Sequence, residues 1–314
     1  MEGIVYKSTG NEFLVKTHSK KIYKCKLKGK FRTKEIKTTN PISVGDKVKI
    51  NIENSEQNEA VIYEIKERKN YIIRKSVNLS KESHIIASNV DCCFLFVTPS
   101  NPETTTIFID RLLVSTKSFD IPTIILFNKI DNYNNNDENK VKLLNKIYSK
   151  IGYKCIKISC LRKINLKKVK EIMSDKVSIF IGHSGVGKST LLKSLSSDLS
   201  IRVGEISKQN KQGQHTTTFS QMYDLDFGAK IIDSPGIKGF GLFDIEQTEI
   251  KLYFPEFLHF SKNCKFNNCQ HVDEPDCAIK NNIKNGKISI SRYRSYINLL
   301  QSKNKKYRSN DFLL

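Results

Sequence analysis

Through residues 1–70 the apolar residues come in short bursts divided by turn-forming residues. Gly3–Tyr6, Glu12–Thr17, Lys21–Leu27, Asp46–Ile52 and Ala60–Ile65 are rich in Val, Ile, Tyr and Phe, and Gly10-Asn11, Gly29 and Gly45-Asp46 punctuate them. Runs of this kind fit short strands broken by turns. Five strands in about 70 residues, with no helical period, predict a small barrel of OB type; an SH3-like barrel is the close competitor.

The pattern changes in residues 71–245. Short apolar runs at Val90–Val97, Thr123–Phe127, Cys155–Ser159, Val177–Ile181 and Lys230–Ile232 alternate with helical stretches at Ile107–Phe119, Lys140–Ile151 and Ser189–Leu195. Near-continuous apolar strands alternating with helices predict a parallel α/β sheet with crossover helices. Asn132–Asn139 reads as a polar loop. Residues 246–314 show helical patterns around a knot of Cys and His, and end in a basic tail over 302–310. Three domains are expected, at 1–70, 71–245 and 246–314.

Composition narrows the function. Neither Cys92–Val97 nor Thr123–Phe127 approaches the ~20 apolar residues that cross a bilayer, and the Met-Glu-Gly start lacks a signal pattern. A cytoplasmic, monomeric protein with no membrane partner is expected. Its 53 Lys and Arg against 32 Asp and Glu give a formal charge of +21, which favours a polyanionic partner. The excess is +7 in residues 1–70, +9 in 71–245 and +5 in 246–314, so the first segment is about twice as densely charged as the second. Lys outnumbers Arg 44 to 9 and there are 27 Asn, a bias that an AT-rich genome also produces. Between residues 20 and 34, Lys24, Lys26, Lys28, Lys30, Arg32 and Lys34 alternate with Tyr23, Cys25, Leu27, Gly29, Phe31 and Thr33. A period of two sets the basic residues on one strand face, a surface suited to nucleic-acid backbone and to base stacking.

Gly182-His183-Ser184-Gly185-Val186-Gly187-Lys188-Ser189 follows one apolar strand and opens a helix at Thr190. The glycines let successive N–H groups face a phosphate, Lys188 reaches the β- and γ-phosphates, and the Ser189 hydroxyl suits Mg²⁺. Asn128-Lys129-Ile130-Asp131 follows the strand Thr123–Phe127. A carboxylate at Asp131 can accept two hydrogen bonds from the N1–H and N2 amine of guanine, a pair that adenine lacks. Ser159-Cys160 ends the next strand and offers a second contact to the base. Asp233-Ser234-Pro235-Gly236 supplies a carboxylate for a Mg²⁺-bound water and a Gly236 N–H for a γ-phosphate. In Gly213-Gln214-His215-Thr216-Thr217-Thr218, the Thr217 hydroxyl is the candidate to complete Mg²⁺ coordination. Ile237, after D-x-x-G, cannot position a water, so His215 is the candidate catalytic group beside Lys188. A GTP-controlled RNA-binding switch with negligible hydrolysis is the alternative reading. Common GTPases carry the phosphate loop first; here the base loops precede it, a circular permutation that leads the D-x-x-G segment straight into residues 246–314.

Cys264, Cys269, His271 and Cys277 place three thiols and one imidazole within 14 residues. That is a closed tetrahedral set for one structural Zn²⁺. The other five Cys lie in or beside apolar runs and read as reduced core residues.

With these motifs in view, the chain resembles the circularly permuted GTPases of the YjeQ/RsgA type over nearly its whole length. The similarity extends to Cys25-Lys26-Leu27-Lys28-Gly29-Lys30-Phe31-Arg32, Val44-Gly45-Asp46-Lys47-Val48, Phe254-Pro255-Glu256-Phe257 and Arg292-Tyr293-Arg294-Ser295-Tyr296. The resemblance implies an N-terminal OB-fold, a central GTPase domain and a C-terminal zinc domain. It also implies late maturation of the small ribosomal subunit, binding to its rRNA, and GTP hydrolysis stimulated by that subunit. Two positions depart from the common pattern: Gln214 stands where Arg is usual, and Asp276 where Gly is usual. The second is strained if its backbone needs φ > 0.

Overall fold

A computed structural model describes residues 1–10, 12–28, 41–75, 83–195, 220–233 and 245–302. Strands β1 (Glu2–Ser8), β2 (Phe13–Thr17), β3 (Ile22–Leu27), β4 (Lys47–Asn54) and β5 (Glu59–Ile65) form the N-terminal unit. β1–β2, β2–β3, β4–β5 and β1–β4 are antiparallel and β3–β5 is parallel. The order β1-β2-β3-β5-β4 therefore closes on itself. A closed five-stranded barrel with one parallel closure decides for the OB type. Alternate residues fill it, among them Val5, Phe13, Val15, Tyr23, Cys25, Val48, Ile50 and Ile62.

The Val44-Gly45-Asp46 turn seats the barrel on its neighbour. Val44 bridges Ala87, and Gly45 at φ +96° lies so close to Ser88 that a Cβ there would stand 2.1 Å from its carbonyl oxygen. Asp46 is buried and accepts from Ser43 N at 2.8 Å and from Arg68 Nε at 2.7 Å. The antiparallel hairpin β6 (Tyr71–Lys75) and β7 (Ser83–Ser88) stands apart as a two-stranded sheet.

The central sheet holds β8 (Cys92–Val97), β9 (Thr123–Phe127), β10 (Lys154–Lys157), β11 (Val177–Ile181), β12 (Gln221–Asp224) and β13 (Lys230–Asp233) in the order β10-β9-β8-β11-β13-β12. All are parallel except β12. Every residue of β8 and β9 is buried, because helices cover both faces. Helices α1 (Thr106–Ser118) and α2 (Asn135–Lys150) pack on one face, and α3 (Leu166–Met173) and α4 (Lys188–Leu195) on the other. The Asn-rich stretch expected as a loop is largely helix. Asn134 caps α2 through a 2.9 Å bond from Asp137 N, and Asp137 and Glu138 complement the first turn.

β12 also pairs with β1, at Lys7 and Gln221, so the sheet continues into the barrel. Tyr6 Oη donates to Asp224 Oδ1 at 2.7 Å, and Lys16 forms an ion pair with Asp224 across the same seam. The C-terminal region builds its own core from a 3₁₀ segment (Gln247–Tyr253), α5 (Pro255–Phe260), α6 (Ala278–Lys284) and α7 (Ile290–Ser302), and Val114 of α1 joins it. Among the described residues no helix is long and apolar enough to cross a membrane.

Candidate nucleotide site and metal cluster

Three loops meet at Asn128, which is 1% exposed. Its Nδ2 donates to Val186 O in the phosphate loop at 2.7 Å, and its Oδ1 accepts from Cys160 N at 3.3 Å. Asn128 thus staples the base loop to both partners. Gly187 makes the approach possible: at φ +101° it carries no Cβ, and one placed there would lie 2.2 Å from Asn128 Nδ2. Tyr133 Oη closes the turn on Asn128 O at 2.8 Å.

Around this junction Asn128, Lys129, Asp131, Cys160, Gly187 and Thr190 line a cleft of about 320 Å³. Lys129 adopts the left-handed conformation at φ +67°, its Nζ on Asn101 O at 2.6 Å, and Ile130 N bonds Ile158 O. Asp131 is exposed on the rim. Ser159 is buried and its Oγ accepts from Arg162 N, which folds the third loop. Burial pushes the Cys160 thiol up to about 12, so it is an uncharged neighbour of the base.

In the phosphate loop Gly182, Gly185 and Gly187 all have positive φ. Ser184, Gly185, Ser189 and Thr190 face solvent, while Val186 is fully buried and anchors the loop. Lys188 Nζ donates to the carbonyls of Gly182 and His183 at 2.6 and 2.7 Å. Burial lowers its pKa against the raising effect of Asp233, and burial raises Asp233 against Lys188. The two half-buried groups thus feel each other's charge at the ends of β11 and β13. Sequence reasoning missed the partner of His183: its ring stacks on Phe108 of α1, centroids 4.0 Å apart and planes at 34°. His215, Thr217, Gly236 and Ile237 lie outside the described residues, as do Gly29 to Lys34.

The Cys264, Cys269, His271 and Cys277 ligand atoms all lie within 4.8 Å of one another. His271 Nδ1 is 3.7 Å from Cys264 Sγ and 3.5 Å from Cys277 Sγ. Zinc bonds of ~2.0–2.3 Å at tetrahedral angles need ligand atoms roughly 3.5–3.8 Å apart; both His271 separations meet this, and the three-thiol, one-imidazole donor set suits Zn²⁺. Burial, with Lys251, lowers His271 to about 4 and keeps it in the neutral ligating form. Tyr293 Oη and Tyr296 Oη, three residues apart on α7, hold His271 O and Gln270 O at 2.8 and 2.7 Å. Asp276 does adopt positive φ, +54°, a conformation Asp tolerates better than most side chains.

Two family models match this chain: RsgA N-terminal domain over residues 2–62 and RsgA GTPase over residues 65–243. A Christiangramia forsetii protein named small ribosomal subunit biogenesis GTPase RsgA is 50% identical over 313 residues, 99% of each chain. One of the same name from Flavobacterium psychrophilum is 53% identical over 310 residues, 98% of this chain and 95% of that one. Among solved structures, YjeQ from Thermotoga maritima superposes with a TM-score of 0.75 at 33% identity, covering 98% of this chain and 99% of that one. The circularly permuted GTPase YloQ gives 0.73 at 29% identity, covering 98% and 96%.

Proposed function

The chain belongs to the RsgA GTPase family, and on that footing we propose that it is a GTP hydrolase acting in biogenesis of the small ribosomal subunit, with turnover stimulated by that subunit. The carrying observation is the Asn128 junction, which draws the N-K-x-D loop, the Ser159-Cys160 loop and the phosphate loop around one cleft in permuted order. Asp131 reads guanine. The loop amides from Gly182 to Ser189 and the Lys188 ammonium hold the phosphates. Ser189 and Thr217 would hold Mg²⁺, with Asp233 reaching it through a coordinated water, and the ion would supply charge neutralisation to the phosphates. His215 orients the attacking water.

Zinc on Cys264, Cys269, His271 and Cys277 is structural, because four protein ligands leave no open position. The domains are taken as 1–70, 71–245 and 246–314; Arg68 turning back to Asp46 of the barrel supports the first of these boundaries. The rRNA contact falls to the barrel. On β3 Lys24 and Lys26 are exposed and alternate with buried Tyr23 and Cys25, and Lys28, just past the strand, is exposed too. Tyr23 is thus a core residue, and this face contacts backbone rather than stacking bases through Tyr23. The protein acts as a cytoplasmic monomer.

Phosphate release from GTP, measured with and without small subunits, is the test. Slow release that rises on adding subunits, and no such rise for His215→Ala, is the expected result. A rate indifferent to subunits would overturn the reading.

A further inference from the structure

We propose that the open edge of the central sheet is a second nucleic-acid surface, one that grips the sugar-phosphate backbone of RNA. It goes beyond the barrel face and rests on the proposed function only for the source of the RNA. Among the described residues β10 is the outermost strand and pairs with β9 alone. From Lys150 to Lys176 the chain carries nine basic residues and two acidic ones.

The fold sorts these residues outward. On α3, Leu166, Val169 and Met173 turn into the core, which leaves Lys167 and Lys168 in solvent. On β10, Ile156 is buried while Lys154 and Lys157 are exposed. Arg162 and Lys163 are exposed on the loop between them. Among the described residues none of these six has a carboxylate within 4 Å, whereas Lys49, Lys66, Lys69, Lys140 and Lys142 do. A cleft of about 290 Å³ opens between β10 and α3, lined by Lys154, Lys157, Asn165 and Lys168 with Glu171 as its one carboxylate, room enough for a phosphate and its sugar.

The chemistry selects RNA over the other polyanions. Lysine is depleted at protein–protein interfaces, which rely on buried aromatic and Arg anchors; this edge offers mainly lysine, and its aromatic residue, Tyr153, packs against the core of the sheet. A membrane-surface helix needs an apolar face to insert, and that of α3 is spent on the core. Uncompensated ammonium groups on a rigid strand and helix are what a phosphate backbone requires.

The experiment follows binding of a labelled, protein-free RNA duplex to the full chain by fluorescence anisotropy over a range of salt. A triple variant at the edge, Lys157→Glu with Lys167→Glu and Lys168→Glu, is compared with a control of equal charge, Lys117→Glu with Lys142→Glu and Lys146→Glu. The edge variant should bind about tenfold more weakly than the control, and its salt slope should flatten by roughly 0.9 for each phosphate it no longer neutralises. Both should keep the parental circular dichroism spectrum and GTP affinity. Equal weakening by the two variants would reduce the edge to a share of net charge and overturn the proposal. So would an edge variant that kept its RNA affinity but lost binding to anionic vesicles. Because the duplex carries no ribosomal protein, small subunits that failed to stimulate hydrolysis would sink the proposed function and leave this test standing.

Discussion

Arg292 Nη1 donates to Asp110 Oδ1 across 2.7 Å, joining α7 to α1 over 182 residues of sequence. The rest of the guanidinium forks onto Glu256, with Nε 2.7 Å and Nη2 3.1 Å from its oxygens. Tyr148 Oη donates to the same oxygen of Asp110 at 2.7 Å. All three charged groups are buried. Although burial disfavours its charge, Asp110 and Glu256 hold Arg292 above its ordinary value. The Phe-Pro-Glu-Phe and Arg-Tyr-Arg-Ser-Tyr motifs are therefore two halves of one internal joint between the C-terminal region and the GTPase domain.

Arg292→Met should destabilise the C-terminal region by about 3–5 kcal/mol, since two carboxylates are left buried and unpaired. A multidomain chain has no single unfolding transition, so the measurement is hydrogen exchange at the amides of 290–302. A change below ~1 kcal/mol would mean that the pair merely offsets its own desolvation.

Asn128→Ala should weaken GTP binding by roughly 10–100-fold, because Val186 O and Cys160 N lose a buried partner worth about 1–3 kcal/mol. Gly187→Ala should do at least as much, by displacing the Asn128 amide and straining a positive-φ position. Asp131→Asn should weaken GTP and improve xanthosine triphosphate by reversing the hydrogen-bond pattern at the base. Calorimetry with the three nucleotides reads all of these, and equal affinity for ATP and GTP in the parent chain would contradict the role of Asp131.

Cys277→Ser, or a chelator, should release one zinc per chain and unfold residues 246–302, since metal binding supplies folding energy to a small region. Val114 and Asp110 face that region, so loss of the zinc fold should lower the melting temperature of the GTPase domain while GTP still binds. Elemental analysis of fresh protein checks the stoichiometry.

Asp224 supplies a pH dependence to the seam between barrel and sheet. Burial raises its carboxyl, but the hydrogen bonds from Lys16 and Tyr6 lower it below its ordinary value overall. A depressed carboxylate stabilises above its unfolded pKa, ~3.9, and loses that contribution as pH falls through its folded pKa. The seam should loosen below about pH 4. Tyr6→Phe should remove about 0.5–1.5 kcal/mol and weaken the acid dependence. Amide exchange along β1 and β12 in acid is the readout.

Residues whose neighbours lie close in sequence were the legible ones. Thr123–Phe127 and Val177–Ile181 stand as read, because a strand covered on both faces is apolar throughout. Four metal ligands within 14 residues, and glycines at fixed offsets after a strand, carry their chemistry locally. The eight-residue α3 was missed because four charged positions, Lys167, Lys168, Lys170 and Glu171, mask its three buried ones. β12 has four residues, and its pairing with Lys7 spans most of the chain. Asp110 reads in sequence as a solvated helix residue; only the return of Arg292 makes it interior. Tyr293 and Tyr296 could have been found from their i, i+3 spacing, which sets both on one helix face.

The pairing of β1 with β12 leaves no hinge between barrel and sheet at that seam. Residue 220 follows the segment that holds the Thr run, and Asp233 opens the D-x-x-G motif, so the β12–β13 hairpin joins the two stretches proposed as the nucleotide switches. To pivot, the barrel would have to shear the Lys7–Gln221 pairing and draw the Tyr6 hydroxyl off Asp224. Held against a particle as large as a ribosomal subunit, the barrel becomes the long arm of a lever whose short arm is the hairpin between the switches.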